Sequence, residues 1–117
     1  MSSVSTQGYW GSAIVGVGAT EFSKNSGRSE WRLAMESILA ALADAGIAPE
    51  EVDGLVTFTL DTNPETFVAQ ALGVRQLRFF SRVNYGGGGA CGTVQQACQP
   101  VRCGVANVVV CYRAFNE

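Results

Sequence analysis

The stretch Val83-Asn84-Tyr85-Gly86-Gly87-Gly88-Gly89-Ala90-Cys91-Gly92 joins an apolar run, Leu77 to Val83, to a helix-like segment, Ala90 to Cys103. We therefore predict a strand that ends at four consecutive glycines, and a helix that begins after them. Glycine lacks a Cβ atom, and the first turn of a helix presents free N–H groups at its positive dipole end. This combination predicts a place for an oxyanion or a thioester carbonyl. The alternative is a close-packed turn that binds no ligand.

Strand and helix patterns alternate along the rest of the chain. Strands are predicted at residues 12–17, 54–59, 77–83 and 107–112. Helical stripes separate them, the first running from an N-cap at Ser29 to Gly46. Crossovers of this length require parallel strands with right-handed connections, so we predict a three-layer α/β fold. Residues 1–11 are predicted to be a mobile arm, and residues 12–117 to belong to one domain.

Composition excludes several classes of function. Eight basic and ten acidic residues give a net charge of −2, and no basic run exists to follow a phosphate backbone, so nucleic acid is not expected. The chain has no histidine, the commonest general base and metal ligand. The spacing of Cys91, Cys98, Cys103 and Cys111 matches no zinc site, and we interpret these residues as small buried apolar side chains in a reducing compartment. We predict no metal and no cofactor.

Two further patterns favour a soluble cytoplasmic protein without a nucleotide site. The first residues lack a signal-peptide pattern, and no apolar run approaches the roughly 20 residues of a membrane helix. Gly16-Val17-Gly18-Ala19-Thr20-Glu21 resembles the start of a dinucleotide fingerprint, but Glu21 stands where the third glycine belongs. No helix pattern opens there, so nucleotide binding is not favoured.

Several motifs together resemble the thiolase superfamily. They are Ile14-Val15-Gly16-Val17-Gly18-Ala19-Thr20-Glu21-Phe22, Pro49-Glu50-Glu51-Val52-Asp53-Gly54, and Val83-Asn84 before a helix of small residues. The branch that the chain resembles most comprises the sterol-carrier-protein X thiolases and the lipid-transfer-protein-type aldolases of steroid side chains. The resemblance implies a mainly parallel sheet with strand order 3-2-1-4. It also implies that the chain corresponds to the N-terminal part, under a third, of a complete subunit.

The resemblance places Gly87 where a thiolase has its nucleophilic cysteine. Without that thiolate, the resemblance points to retro-aldolases that cleave a β-hydroxyacyl-CoA into a ketone and a shorter acyl-CoA such as propionyl-CoA. The substrate-binding residues would be Asn84, Tyr85, Gly86, Gly87, Gly88 and Gly89, and the catalytic residues would lie outside this segment. CoA would be part of the substrate, and a zinc-ribbon/OB-fold protein would be a partner. Two alternatives stay open: an acyltransferase with its nucleophile elsewhere, and a non-catalytic scaffold subunit.

The third predicted strand also suggests a subunit contact. Arg78, Phe80 and Arg82 alternate on one face, and two arginines do not suit the middle of a parallel sheet. They suit an edge strand or a subunit seam, and the resemblance implies a homodimer paired through this strand. The interface residues would be Arg78, Phe79, Phe80, Ser81 and Arg82. The 117-residue chain by itself is expected to be inactive.

Overall fold

A computed structural model describes residues 11–22, 26–58, 63–83 and 87–114, with the side chains of residue 58 and residues 87–90 left aside. The predicted mobile arm therefore lies, apart from Gly11, outside the described residues. The elements are α1 (Glu30–Ala45), a 3₁₀ turn (Pro49–Glu51), β1 (Gly54–Phe58), α2 (Glu65–Leu72), β2 (Phe79–Val83), α3 (Gly87–Arg102) and β3 (Val109–Cys111). The three strands form a parallel sheet in the order β2-β1-β3.

Helices cover both faces of this sheet. Leu55 lies opposite Phe80 on one neighbouring strand and Val110 on the other. Leu55 and Val110 join the main core with α1 and α2, whose buried members include Ile38, Leu42, Val68 and Leu72. On the other face α3 contacts the sheet: the Cys111 thiol donates to the Thr93 carbonyl at 3.5 Å, and the Ser81 hydroxyl donates to Gln96 at 3.3 Å. The predicted three-layer α/β arrangement is therefore present.

The first helix begins and ends where the sequence predicts. The Ser29 hydroxyl accepts the Arg32 N–H at 3.1 Å, and Gly46 adopts a left-handed φ of 73° after the last turn. Helix α3, in contrast, begins at Gly87 rather than at Ala90, so three glycines that we expected in a loop form its first turn. Tertiary packing outweighs the low helix propensity of glycine here, since α3 packs along β1 and β2.

The predicted first strand, Ser12–Val17, is not a strand in the structure, and the predicted order 3-2-1-4 is not found. Strand β3 pairs directly with β1, while residues 11–22 run irregularly along α1. A Cβ atom on Gly16 would lie 2.3 Å from the Ala41 carbonyl oxygen, and one on Gly18 would lie 2.4 Å from that of Ser37. The two glycines therefore permit contact with the helix backbone, and Ile14, Val15 and Val17 stay exposed.

The prediction that the four cysteines are buried is also wrong. Cys91, Cys103 and Cys111 are exposed, and Cys98 is half-buried. Among the described side chains of α3, the buried ones are Thr93 and Pro100, with Ala97 half-buried between them. These three positions and the predicted set Cys91, Val94 and Cys98 both alternate steps of three and four residues, so periodicity alone did not distinguish the two stripes.

Candidate functional site at the carboxyl edge of the sheet

The predicted glycine site lies where β2 ends and α3 begins. Gly87, Gly88 and Gly89 form the first turn of a 16-residue helix, so their backbone N–H groups belong to its positive end. This first turn contains no acidic residue that would offset the dipole. Asn84, Tyr85 and Gly86, which complete the prediction, lie outside the described residues.

A set of polar side chains occupies the same edge of the sheet on the opposite face. We call Thr57, Asn63, Glu65, Arg82 and Tyr112 the carboxyl-edge network. The Thr57 hydroxyl donates to the Tyr112 carbonyl at 2.8 Å, and the Tyr112 hydroxyl donates to the Asn63 carbonyl at 2.7 Å. The Arg82 guanidinium forms an ion pair with Glu65 and also lies 3.4 Å from the Asn63 carbonyl oxygen. The network therefore connects the ends of all three strands to the start of α2.

All five residues of the network are buried or half-buried. Thr57, Asn63 and Tyr112 are buried, and the side chains of Arg82 and Glu65 are 30% and 12% exposed. Such a pair is screened less than a surface pair, and its hydrogen bond is charge-assisted. Sequence reasoning assigned no role in this network to Thr57, Glu65 or Tyr112. The sequence signal for Thr57 and Tyr112 was a polar or aromatic residue at the end of an apolar strand. That pattern is too common to identify a network.

The five predicted interface residues have different surroundings. Strand β2 is an edge strand of the described sheet, as the two arginines suggested. Arg78 and Phe80 are exposed, Phe80 by 58%, whereas Phe79 and Ser81 are half-buried. Arg82 is half-buried beside Glu65. The structure thus leaves Arg78 and Phe80 most accessible to another subunit and directs Arg82 into its own chain.

A cavity of about 850 Å³ lies beyond the other edge of the sheet. Its described lining comes from residues 14–22, α1, Val94 and the end of β3. Cys111 is exposed as a residue, but its thiol contacts the Thr93 carbonyl of α3 and borders this cavity. Desolvation by the surrounding protein raises the pKa of that thiol, a shift that the bond to Thr93 partly opposes. A thiol with a raised pKa carries little thiolate at neutral pH, so Cys111 is poorly suited to nucleophilic attack.

The described residues contain neither a metal site nor a membrane-spanning helix. No three potential metal-ligating side chains among them are grouped closely enough to hold an ion. Within the same ranges, none of the helices has the length and apolar character needed to span a bilayer.

Sequence comparison reveals close similarity to two curated proteins, while no protein-family profile matches the chain. The chain is 69% identical over 105 residues to a steroid side-chain-cleaving aldolase of Thermomonospora curvata. It is 67% identical over 105 residues to a 17-hydroxy-3-oxo-4-pregnene-20-carboxyl-CoA lyase of Mycobacterium tuberculosis. Each alignment covers 90% of this chain but 27% of the relative, so the chain spans about a quarter of the length of these proteins.

Solved structures give a consistent result. A structure named Ltp2-ChsH2(DUF35) aldolase superposes with a TM-score of 0.87 at 68% identity, covering 90% of this chain and 28% of that one. The 3-oxoacyl-[acyl-carrier-protein] synthase III of Aquifex aeolicus has a TM-score of 0.61 at 20% identity, with 72% of this chain and 29% of that chain covered. The priming β-ketosynthase of the R1128 polyketide pathway gives 0.60 at 22%, with 74% and 28% covered. These last two share only the fold, which is a thiolase-like α/β fold.

Proposed function

We propose that this chain is part of a retro-aldolase that cleaves a β-hydroxyacyl-CoA, with the acyl group forming the side chain of a steroid. The products would be a ketone and a shorter acyl-CoA such as propionyl-CoA. The observation that carries this proposal is the identity of 67–69% to two proteins named as a steroid side-chain aldolase and an acyl-CoA lyase. Since the chain spans about a quarter of their length, the activity would belong to a longer protein that includes this segment.

The first turn of α3 fits one requirement of this chemistry. In a retro-aldol step, a base removes the β-hydroxyl proton, the Cα–Cβ bond breaks, and the β carbon becomes a ketone. The electron pair moves to the α carbon and the thioester oxygen, giving an enolate that is then protonated at the α carbon. N–H groups at Gly87–Gly89 would stabilise the charge on that oxygen. The proton-transferring groups are expected outside this segment.

The same geometry disfavours the acyltransferase alternative. An acyl-enzyme needs a thiolate next to the thioester, and the position that would hold it, by resemblance to the thiolases, is Gly87. Cys91 lies one turn further along α3, on its exposed side. Cys111, with its raised pKa, borders a cavity beyond the opposite edge of the sheet from β2. We therefore infer a mechanism without a covalent acyl-enzyme intermediate. We also propose that the reaction needs no cofactor, since CoA is part of the substrate.

The proposal includes a partner and a second subunit. The name of the solved relative joins Ltp2 to ChsH2(DUF35), which supports a partner protein, and we propose one of the zinc-ribbon/OB-fold type. Edge strand β2 with exposed Arg78 and Phe80 supports pairing between two copies. Asn84, Tyr85 and Gly86 would complete the wall of the acyl-CoA site with the three helical glycines.

The first experiment replaces Gly87 by alanine in the complete protein with its partner. If Gly87 makes room for the acyl chain, the added methyl group slows cleavage of a branched substrate more than that of a small one. The expected cost in transition-state free energy is about 1–3 kcal/mol, as for overpacking a filled site. Gly92→Ala is the matched control, because it adds the same methyl group to the same helix and its Cβ atom would meet Val83 at an ordinary 3.4 Å. Equal slowing of both substrates would contradict the steric role.

The second experiment is the intact mass of the wild-type complex during turnover. A retro-aldolase without a covalent step shows no mass increase, and Gly87→Cys does not acquire thiolase activity, since a lone thiol lacks the groups that activate it. A stable acyl adduct on a cysteine of this segment would restore the acyltransferase reading. A complete complex that binds acyl-CoA without cleaving it would instead favour the scaffold alternative.

A further inference from the structure

We propose that the Arg82–Glu65 ion pair is a positioning device for the proposed cleavage, through which the carboxyl-edge network sets the first turn of α3. This inference rests on the proposed function. Arg82 precedes the last residue of β2, and Glu65 is the first residue of α2. The pair therefore holds the end of an edge strand that has only one neighbouring strand among the described residues.

The corner formed by residues 63–65, at the start of α2, is bonded directly or through Tyr112 to the ends of all three strands. Its Asn63 carbonyl accepts the Tyr112 hydroxyl, which comes from the chain just after β3. The Tyr112 carbonyl in turn accepts the hydroxyl of Thr57 on β1. Arg82 reaches both the Asn63 carbonyl oxygen and the Glu65 carboxylate of this corner. The ends of three strands are thus fixed to one point, and β2 is attached to it by a charged contact.

The residues that flank Arg82 transmit its position to α3. Ser81 donates to Gln96 of α3 across the other face of the sheet. Val83 lies beside Gly92, at the distance where a Cβ atom on that glycine would be in van der Waals contact. A shift at the end of β2 would therefore move the amino end of α3 as well. Catalysis is sensitive to such shifts, since a displacement of about 1 Å can reduce the rate roughly a hundredfold.

Partial burial explains why loss of the pair would shift the strand. Glu65 is 12% exposed, so its carboxylate without Arg82 would be a poorly hydrated charge. The corner would rearrange to hydrate that carboxylate, and the end of β2 would lose its attachment to α2. The effect expected on the reaction is a change in geometry, since neither side chain needs to touch the substrate.

The test is Arg82→Met in the complete protein with its partner, assayed with the acyl-CoA substrate that the wild type cleaves. We expect kcat to fall by about tenfold to a hundredfold while KM changes by less than about twofold, because geometry is lost and binding is kept. Arg75→Met is the matched control: it removes an exposed arginine seven residues earlier, before β2 begins, and should leave both constants unchanged. Arg82→Lys keeps a charge for Glu65 and should recover part of kcat.

Further outcomes distinguish failure of the positioning role of Arg82 from failure of the retro-aldolase proposal. Arg82→Met with a lower unfolding temperature but unchanged kcat and KM would overturn the positioning role and leave the retro-aldolase proposal standing. A wild-type complex that does not cleave any β-hydroxyacyl-CoA would overturn both. If Arg82→Met does not fold, Glu65→Gln removes the same ion pair with almost no change of shape. It should lower kcat with little change of KM, and unchanged kcat in that variant would reject the inference.

Discussion

Asp53 shows how one side chain organises the amino ends of the three strands. Its buried carboxylate accepts the N–H groups of Asn107 and Val108, at 2.8–3.0 Å. Its backbone carbonyl accepts the N–H groups of Arg78 and Phe79 at 2.8 and 3.2 Å. The residue therefore bonds to the chain before β3 and to the start of β2. This gives a physical reason for an aspartate in the stretch Pro49 to Gly54.

Replacing Asp53 by asparagine in the complete protein should lower its stability by about 1–3 kcal/mol. The amide keeps one acceptor but loses the charge, and its NH₂ group faces donors that need an acceptor. Thermal or urea unfolding measures the effect. Asp44→Asn is the control, because Asp44 is exposed and accepts, from the part of the chain that the structure describes, a single N–H, that of Val17, at 3.0 Å. An equal loss in both variants would argue against the role given to Asp53.

The raised pKa of the Cys111 thiol predicts how its rate of alkylation depends on pH. Desolvation raises the pKa of its thiol above the ordinary 9.0, so the reactive thiolate forms only at higher pH than in the unfolded chain. In the folded protein, iodoacetamide should therefore label Cys111 slowly at pH 7–8, with a rate that still rises above pH 9. The same peptide in denaturant provides the control, since the thiol is hydrated there. Equal labelling rates in both states at pH 8 would contradict the shift.

Two elements depend on glycine for opposite reasons. Residues 14–18 contact α1 through Gly16 and Gly18, where an added Cβ atom would overlap carbonyl oxygens. Gly92 of α3, in contrast, has a helical backbone and room for a methyl group against Val83. The first pair permits a close approach between segments, whereas Gly92 leaves part of the helix without a side chain to pack.

Alanine should therefore have opposite effects at these positions. Gly16→Ala would place its Cβ 2.3 Å from a backbone oxygen and should destabilise the protein by about 1–3 kcal/mol or detach residues 14–18 from α1. Gly92→Ala should stabilise it by about 0.5–1 kcal/mol, because it reduces the backbone entropy of the unfolded chain. Differential scanning calorimetry of both variants tests the pair. A gain in stability at Gly16 would mean that residues 14–18 do not pack on α1 in this way.

The whole described structure has two open sheet edges with different surroundings. Edge strand β2 carries exposed Arg78 and Phe80. Beyond β3 lies the cavity of about 850 Å³, bounded by exposed apolar residues such as Ile14 and Val17. Edges with apolar surroundings promote association, and we expect the 117-residue segment alone to associate and to lack activity.

Phe80→Asp tests whether β2 joins two copies of the complete protein. A charge at the centre of an isologous seam is repeated by symmetry, so the variant should shift the dimer toward monomer on a sizing column. Phe67→Asp is a closely matched control: Phe67 is also 58% exposed but belongs to α2 rather than to the edge strand. Unchanged elution of the Phe80 variant, or an equal shift in both, would count against this seam.

The sequence by itself determined the order and type of most elements. Caps such as Ser29 and Gly46, and runs of β-branched residues, act over a few neighbouring residues and can be read locally. The same local patterns located the junction between β2 and α3, where Gly87 stands. They also suggested that β2 is an edge strand, because Arg78 and Arg82 are hard to bury.

Only the tertiary structure decided which elements are neighbours. An apolar run such as residues 12–17 does not specify whether it will pair with a sheet or pack on a helix, and Gly16 and Gly18 allow the second. The stripe of α3 that faces the sheet was decided by packing, since two stripes have equal periodicity. The ion pair between Arg82 and Glu65 joins residues 17 positions apart. Such contacts depend on the folded arrangement of β2 and α2, which no local pattern encodes.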